Sequence, residues 1–101
     1  MDYTVTSSGD TRTASLKGRL TFQEQRLFRT LIEDMFSAEA ARYVIDLKQV
    51  EYIDSSGLGM LLIARKRAQQ AKAVIALTNV PANARETFTT ARFEDLFEIS
   101  G

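Results

Sequence analysis

The sequence has 101 residues, the length of one small domain, and its 45% hydrophobic and 26% charged residues are ordinary values for a globular protein. Thirteen basic and 13 acidic residues cancel to a formal net charge of zero, which disfavours binding to the phosphate backbone of nucleic acids. Cys and His are both absent, which excludes disulfides, thiol nucleophiles, Ser-His-Asp catalysis and the metal sites built from these side chains. We therefore expect neither a cofactor nor a metal.

No targeting segment is visible in the sequence. Residues 1–15 are polar and lack the apolar stretch of a secretory signal. The longest strongly apolar stretch, Met60–Ala64, is far shorter than the ~20 residues that cross a bilayer. We expect a cytoplasmic protein that forms one domain over residues 1–101 and does not bind a membrane.

An antiparallel hairpin is predicted at the N-terminus. Apolar and polar residues alternate from Tyr3 to Ser7, Ser8-Gly9-Asp10 has the composition of a turn, and the alternation resumes from Arg12 to Gly18. A period of two residues is typical of half-buried strands, and it places Ala14 and Leu16 on the inner face of the second strand.

An amphipathic helix is predicted next. Thr21 and Glu24 have the spacing of a capping box, in which each side chain accepts a hydrogen bond from a free backbone N–H of the first turn. Apolar residues then recur at helical spacing and predict a wide stripe that faces the core: Leu27, Phe28, Leu31, Ile32, Met35 and Phe36. The opposite face is predicted to hold Arg26, Arg29 and Glu33.

The middle of the chain has the pattern of a βαβ unit. Tyr43–Leu47 and Val74–Leu77 are rich in apolar and β-branched residues, as expected for buried strands, and the segment from Ser56 to Ala71 between them has helical character. The two strands are therefore predicted to be parallel neighbours.

A third helix is predicted after Pro81, because proline suits the first helical turn. Its inner face is predicted to hold Ala84, Thr87, Phe88 and Ala91. The residues Leu96–Ile99 can return to the sheet as an edge strand. Together the elements predict an α/β fold, a single small mixed sheet of about four to five strands packed with about three helices.

The segment from Ile53 to Met60 is the candidate functional site. It lies past the carboxyl end of the Tyr43–Leu47 strand and opens the next helix, which is where ligand and modification sites tend to lie in open α/β sheets. The free N–H groups and the dipole of a helix start tolerate negative charge, so a serine here can accept a phosphate of about −1.5 to −2 charges. The run Asp54-Ser55-Ser56 can also serve only as an N-cap, and the residues alone leave both interpretations open.

Two glycines in this segment argue for more than a cap. Gly57 and Gly59 each cost about 0.8–1 kcal/mol relative to Ala inside a helix. We interpret them as keeping the start of the helix flat, so that another backbone or a nucleotide phosphate can approach closely.

The apolar run Met60–Ala64 points in every direction on a helix. The core face is predicted to hold Leu58, Leu61 and Leu62. The opposite face is predicted to hold Gly59, Ile63, Lys66, Arg67 and Gln70. An exposed strip of glycine, apolar and basic residues beside a serine predicts a protein-docking surface, although Ile63 taken alone can equally be an isolated apolar residue on the surface.

The stretch from Tyr43 to Leu62, YVIDLKQVEYIDSSGLGMLL, resembles the signature of STAS domains, and specifically of bacterial anti-sigma factor antagonists. The resemblance extends to Leu16–Leu20 near the second strand and to Phe93–Ile99 at the end, so it covers nearly the whole chain. It implies a STAS-like fold and a binding module that phosphorylation switches.

In that family the serine directly after the Asp is phosphorylated by a partner kinase that is also the anti-sigma factor, and a metal-dependent serine phosphatase reverses the modification. The resemblance implies that Ser55 is the phosphoacceptor, with Ser56 as the second choice. The unphosphorylated protein would sequester the partner, a kinase of the histidine-kinase-like ATPase type, and phosphorylation would release it. The switch neighbourhood is then Asp54, Gly57, Gly59 and Thr21, and the partner-binding residues are Ser56, Leu58, Met60, Ile63 and Arg67.

Thr21 departs from the family pattern. Many relatives carry an Asp in this loop, whereas Thr21 keeps a capping role but lacks the charge. The run Gly18–Phe22 (GRLTF) is similar to antagonists wired into two-component systems, so a target other than a sigma-factor pathway stays an alternative. STAS-like domains elsewhere bind nucleotides, so a nucleotide-binding sensor is the second alternative.

We do not expect an enzyme. Without His, a Ser55 nucleophile would need a Lys, Asp or Glu as its base, and no Ser-x-x-Lys motif surrounds it. Asp46 and Asp54 are a thin ligand set for magnesium. We interpret Asp46 as a residue that forms hydrogen bonds at the end of its strand.

Overall fold

The computed structural model describes residues 1–100, which form five strands and three α-helices. The strands are β1 (Asp2–Ser8), β2 (Thr11–Leu20), β3 (Arg42–Ile53), β4 (Val74–Thr78) and β5 (Glu98–Ser100), and the helices are α1 (Gln25–Met35), α2 (Ser55–Gln70) and α3 (Ala82–Thr90). The strands form one sheet in the order β1-β2-β3-β4-β5, in which β1 and β2 are antiparallel and all other neighbours are parallel. The predicted α/β fold with a small mixed sheet is confirmed.

The N-terminal hairpin forms as its alternation predicts. Tyr3 lies opposite Leu16 and Val5 lies opposite Ala14, so that both apolar pairs share the inner face. Gly9 in the turn has a φ of +60°, a conformation that L side chains rarely adopt. Ala14 and Leu16 are buried, whereas Tyr3 and Val5 at the sheet edge are half-buried.

The three helices cover one face of the sheet. Three successive parallel crossovers advance in the same direction across the sheet, and right-handed crossovers then place every helix on the same side. Buried residues of α1, α2 and α3 accordingly belong to one core cluster with the inner residues of the strands, among them Phe28, Leu61, Phe88, Ile45 and Leu77. The carboxyl ends of β2 and β3 thus meet the starts of α1 and α2 at one edge of this layer.

The predicted capping box at Thr21 and Glu24 is wrong. Thr21 is extended and makes no side-chain cap bond, and the N–H of Glu24 donates to the Thr21 carbonyl within a 3₁₀ turn over Phe22–Glu24. The Glu24 carboxylate instead accepts a hydrogen bond from the Met1 ammonium at 3.3 Å. The α-helix therefore begins at Gln25, and its apolar stripe ends with Phe36 as a half-buried C-cap.

Strand β3 is longer than its apolar run predicts. It continues to Ile53 because the second half of β2 pairs with it, with Leu20 opposite Ile53 after two register shifts that each leave one extra residue in β3. The segment that starts at Asp54 consequently follows β3 without an intervening loop.

The C-terminal elements agree with the prediction in part. Helix α3 follows Pro81 and buries Ala84 and Phe88, but Thr87 and Ala91 are exposed, so the predicted inner face is too wide. The edge strand is confirmed, but it spans Glu98–Ser100 instead of the predicted Leu96–Ile99, and Leu96 lies in the preceding turn. Within residues 1–100, the structure has no helix with the length and hydropathy that a membrane crossing requires.

Candidate functional site

Asp54 joins the start of α2 to the end of β2. Its Oδ1 atom accepts a hydrogen bond from the Gly57 N–H at 2.8 Å, which caps the helix, and its Oδ2 atom accepts one from the Phe22 N–H at 3.2 Å. Its own N–H donates to the Leu20 carbonyl at 3.2 Å. One carboxylate and one backbone N–H therefore hold the 3₁₀ turn after β2 against the first turn of α2.

Ser55 is the first residue of α2 and is exposed. Its hydroxyl has no hydrogen-bond partner among the described residues, because the cap is made by Asp54. Ser56, the next residue, is half-buried. Of the two hydroxyl groups, the one on Ser55 is therefore the more accessible, and it lies at the positive end of the helix dipole.

Gly57 is required by a contact within the fold. A Cβ atom at this position would lie 2.4 Å from the Leu20 carbonyl oxygen, 2.7 Å from Cγ2 of Ile53 and 3.2 Å from Cγ of Leu20. The interpretation that Gly57 lets another backbone approach closely is therefore confirmed, and that backbone is β2 of the same chain. Gly59 is different, because it is exposed and a Cβ atom there would have no neighbour within 4 Å.

The burial of α2 differs from the prediction at two residues, Leu62 and Met60. Leu61 is buried as predicted, but Leu62 is 39% exposed and does not serve the core. Met60, predicted as a partner contact, is 3% exposed, because α1 packs beside it, and it is therefore not available as a free contact residue. Leu58 is half-buried.

The predicted exposed strip of α2 exists at Ile63, which is 56% exposed. Arg67, on the same side, is half-buried and places its guanidinium carbon 5.3 Å from the centre of the Phe36 ring. Whether these residues contact a partner stays a prediction.

Phe22 lies next to the site, and the sequence pattern did not identify it. It is 64% exposed although its backbone N–H is held by Asp54, so a large aromatic residue is presented to solvent in the turn that bonds to the residue before Ser55. Thr21, the residue before it, is half-buried. The signal that could have identified Phe22 is its place outside the helical spacing of the α1 stripe, which starts at Leu27.

Asp46 and Glu98 make structural contacts away from this site. Asp46 accepts hydrogen bonds from the Lys48 N–H at 3.0 Å and from Nδ2 of Asn79 at 2.9 Å, which agrees with its interpretation as a hydrogen-bonding residue of its strand. Between residues 1 and 100 no group of three or more Asp and Glu side chains is placed to hold a metal ion. Arg42 donates a hydrogen bond to Glu98 at 2.5 Å, and this contact lowers the pKa of the Glu98 carboxyl.

The comparison with known sequences decides the family. The family profile described as "Mlab, STAS domain" matches residues 3–98. The chain belongs to the STAS domain family. A STAS-domain containing protein of Pseudomonas aeruginosa (strain UCBPP-PA14) is 37% identical over 94 residues, which cover 93% of this chain and 92% of the relative.

Solved structures with the same fold include anti-sigma factor antagonists. An anti-sigma-factor antagonist (STAS) domain protein from Planctomyces limnophilus superposes with a TM-score of 0.87 at 21% identity, over 100% of this STAS domain and 91% of that chain. The anti-sigma factor antagonist SpoIIAA, a Bacillus cell fate determinant, has been solved in two forms, both 17% identical to this chain. The unphosphorylated form gives a TM-score of 0.71 over 97% of this chain and 86% of that one, and the phosphorylated form 0.73 over 99% and 92%. These likenesses show a shared fold.

Proposed function

We propose that this STAS domain is an anti-sigma factor antagonist that works as a phosphorylation-switched binding module. In the unphosphorylated state it sequesters an anti-sigma factor that is also a serine kinase of the histidine-kinase-like ATPase type. The kinase phosphorylates Ser55 and is released, and a metal-dependent serine phosphatase restores the binding state. The protein acts in the cytoplasm on these protein partners and not on nucleic acid or a membrane.

The observation that carries this proposal is the free hydroxyl of Ser55 at the start of α2. The side chain is exposed and is not needed for the cap, so a kinase can reach it without unfolding the helix. A phosphate here would add about −1.5 to −2 charges directly beside the Asp54 carboxylate. The helix N-terminus tolerates this charge, so the fold can stay intact while the surface changes.

The surroundings of Ser55 explain why a phosphate would release a partner. Phe22, in the turn that Asp54 holds, and Ile63, on α2, are large exposed apolar side chains, and Gly59 lies between Ser55 and Ile63 on one face of α2 without a side chain of its own. A partner that covers such side chains must exclude water from them, and a dianion inside that interface is costly to desolvate. The relative SpoIIAA, an antagonist that exists in unphosphorylated and phosphorylated forms, supports the same scheme.

We propose no catalytic role for the chain. The carboxylate nearest to Ser55 in sequence is Asp54, and both of its oxygens already accept backbone N–H groups of Gly57 and Phe22. A carboxylate held in this way is poorly placed to remove a proton from the Ser55 hydroxyl.

The nucleotide-binding alternative loses part of its support. It rested on the glycines at the start of α2, and Gly57 is explained by its contact with the Leu20 carbonyl of β2, whereas Gly59 is exposed and has no such contact. An antagonist that acts on a target outside sigma-factor control remains the alternative, because it would use the same Ser55 switch.

The first experiment identifies the modified residue. The purified chain is incubated with ATP and each histidine-kinase-like serine kinase of its source organism, and phosphate is located by mass spectrometry. We expect phosphate on Ser55, loss of the signal in Ser55→Ala and no loss in the matched control Ser56→Ala. Phosphate on Ser56 alone would contradict the assignment.

The second experiment tests the switch. Calorimetric titration of the same kinase is expected to give tight binding with Ser55→Ala and a loss of about a hundredfold or more with Ser55→Asp. Equal affinity for wild type, Ser55→Ala and Ser55→Asp would refute the proposed function. Hydrolysis of an ester or phosphoester that disappears in Ser55→Ala would instead show an enzyme.

A further inference from the structure

Helices α1 and α2 lie side by side and run in the same direction. At their starts the Phe22 N–H, just before α1, donates to Asp54, just before α2. At their ends Arg67 of α2 lies over the ring of Phe36, the C-cap of α1. The two helix starts therefore mark the Ser55 end of a shared surface, and Arg67 marks the other end.

A groove of about 260 Å³ separates the two helices on their outer surface. Its floor is formed by the buried side chains of Phe28, Ile32 and Met60, and Ile63 of α2 is the exposed apolar side chain at its edge. Its polar lining comes from Gln25, Arg29, Glu33 and Arg67. We call this feature the α1–α2 groove.

The surface around the α1–α2 groove is basic although the whole chain is neutral. Arg26, Arg29, Lys66 and Arg67 lie on the two helices, and no ion pair engages them within residues 1–100. Two nearby carboxylates of the same segment are turned away from the groove. Glu24 contacts the Met1 ammonium, and Asp34 accepts a hydrogen bond from the Tyr3 hydroxyl on β1. Glu33 is then the one acidic residue among those that line the groove in the described chain.

We propose that the α1–α2 groove receives an acidic amphipathic helix of the anti-sigma partner, an inference that rests on the proposed function. A shallow groove between two helices, with an apolar floor, an exposed Ile63 at its edge and a charged rim, suits the helix-in-groove mode of recognition. Helix α1 has 11 residues and spans about 16 Å, enough for three turns of a bound helix. The basic rim selects acidic residues on the flanks of the apolar stripe of that helix.

The position of Ser55 connects this groove to the switch. Ser55 and Ile63 are eight residues apart on one helix, which corresponds to about 12 Å along its axis. The Debye length at physiological ionic strength is about 8 Å, so a phosphate on Ser55 repels chiefly the near end of an acidic helix in the groove. The basic rim attracts the acidic side chains of the partner helix, and a phosphate on Ser55 repels the same side chains.

The test measures the affinity of the kinase that phosphorylates Ser55 for single-charge variants. Arg29→Glu is expected to weaken binding about tenfold, and Glu33→Gln is expected to tighten it about threefold. A tightening cannot result from misfolding, so Glu33→Gln protects the test against an unstable variant. Lys17→Glu is the matched control, because Lys17 is exposed on β2 beside the inward-facing Leu16 and therefore on the sheet face without helices.

The inference is overturned if Arg29→Glu and Glu33→Gln bind like Lys17→Glu, or if their effects have the opposite sign. Sedimentation of the wild-type chain with phosphatidylglycerol vesicles, abolished by Arg29→Glu, would assign the groove to an anionic membrane and would also overturn it. Failure of the proposed function gives a different result, because Ser55→Asp would then bind as tightly as wild type. If Ser55→Asp loses binding while the groove variants bind like Lys17→Glu, only the groove proposal is refuted.

Discussion

Gly57→Ala is the substitution whose effect the structure determines most directly. The added Cβ atom would lie 2.4 Å from the Leu20 carbonyl oxygen, where about 3.4 Å is an ordinary contact, so the two backbones must separate by about 1 Å. The methyl group would also lie 2.7 Å from Cγ2 of Ile53. The first turn of α2 therefore has to move away from the end of β2, and this movement stretches the hydrogen bonds that Asp54 makes to both elements.

The size of the effect follows from two costs and one gain. Overpacking against a backbone carbonyl costs about 1–3 kcal/mol, and a weakened N-cap adds about 1 kcal/mol. Replacing a helical glycine with alanine returns about 1 kcal/mol through helix propensity. We therefore expect Gly57→Ala to lower the free energy of unfolding by about 1–3 kcal/mol.

Gly59→Ala is the matched control two residues further along the same helix. A Cβ atom there has no neighbour within 4 Å, so only the propensity gain remains and the free energy of unfolding is expected to rise by about 0.5–1 kcal/mol. Urea unfolding followed by circular dichroism measures both variants. Equal stability changes for the two substitutions would refute the contact between α2 and β2 as the reason for Gly57.

Three further predictions concern the site and the sheet edge. Asp54→Ala removes the cap and is expected to lower the free energy of unfolding by about 1–2 kcal/mol in urea titrations; no loss would contradict its bridging role. Phe22→Ala is expected to weaken kinase binding about tenfold or more in calorimetry, whereas Val74→Ala, an exposed residue on β4, should leave it unchanged; equal effects would remove Phe22 from the interface. The hydrogen bond to Asp34 raises the pKa of Tyr3 above 10.0, so the stability advantage of wild type over Tyr3→Phe should be constant between neutral pH and pH 10.0 and decline as the pH rises through the folded-state pKa. An advantage that grows with pH would contradict this sign.

The hairpin and the strand–helix–strand unit were predictable because their signals are local. The period of two in Tyr3–Ser7 and the helical spacing of the α1 stripe depend on neighbouring residues only. The capping box failed for the opposite reason. Glu24 has the right spacing, but its carboxylate binds the Met1 ammonium, which the β1–β2 hairpin brings close. A cap signal is therefore overridden when a distant group competes for the same side chain.

The candidate site also has features that the local sequence predicts and features that it does not. The run after Asp54 predicted a helix start with an accessible serine, and Ser55 is exposed. Which residues of the apolar run become buried could not be predicted from the run itself. Met60 is buried and Leu62 is exposed because α1 packs along one side of α2, and the period of a helix does not say where its neighbours lie.

By itself, the amino-acid sequence determined the α/β class, the order of most elements, the STAS resemblance and the place of the serine at a helix start, since each follows from residues close together in the chain. The tertiary structure decided the role of Gly57, the exposure of Phe22 and the basic groove between α1 and α2. Each of these depends on segments far apart in sequence, such as Leu20 beside Gly57, which meet only when the crossovers stack the helices on one face of the sheet.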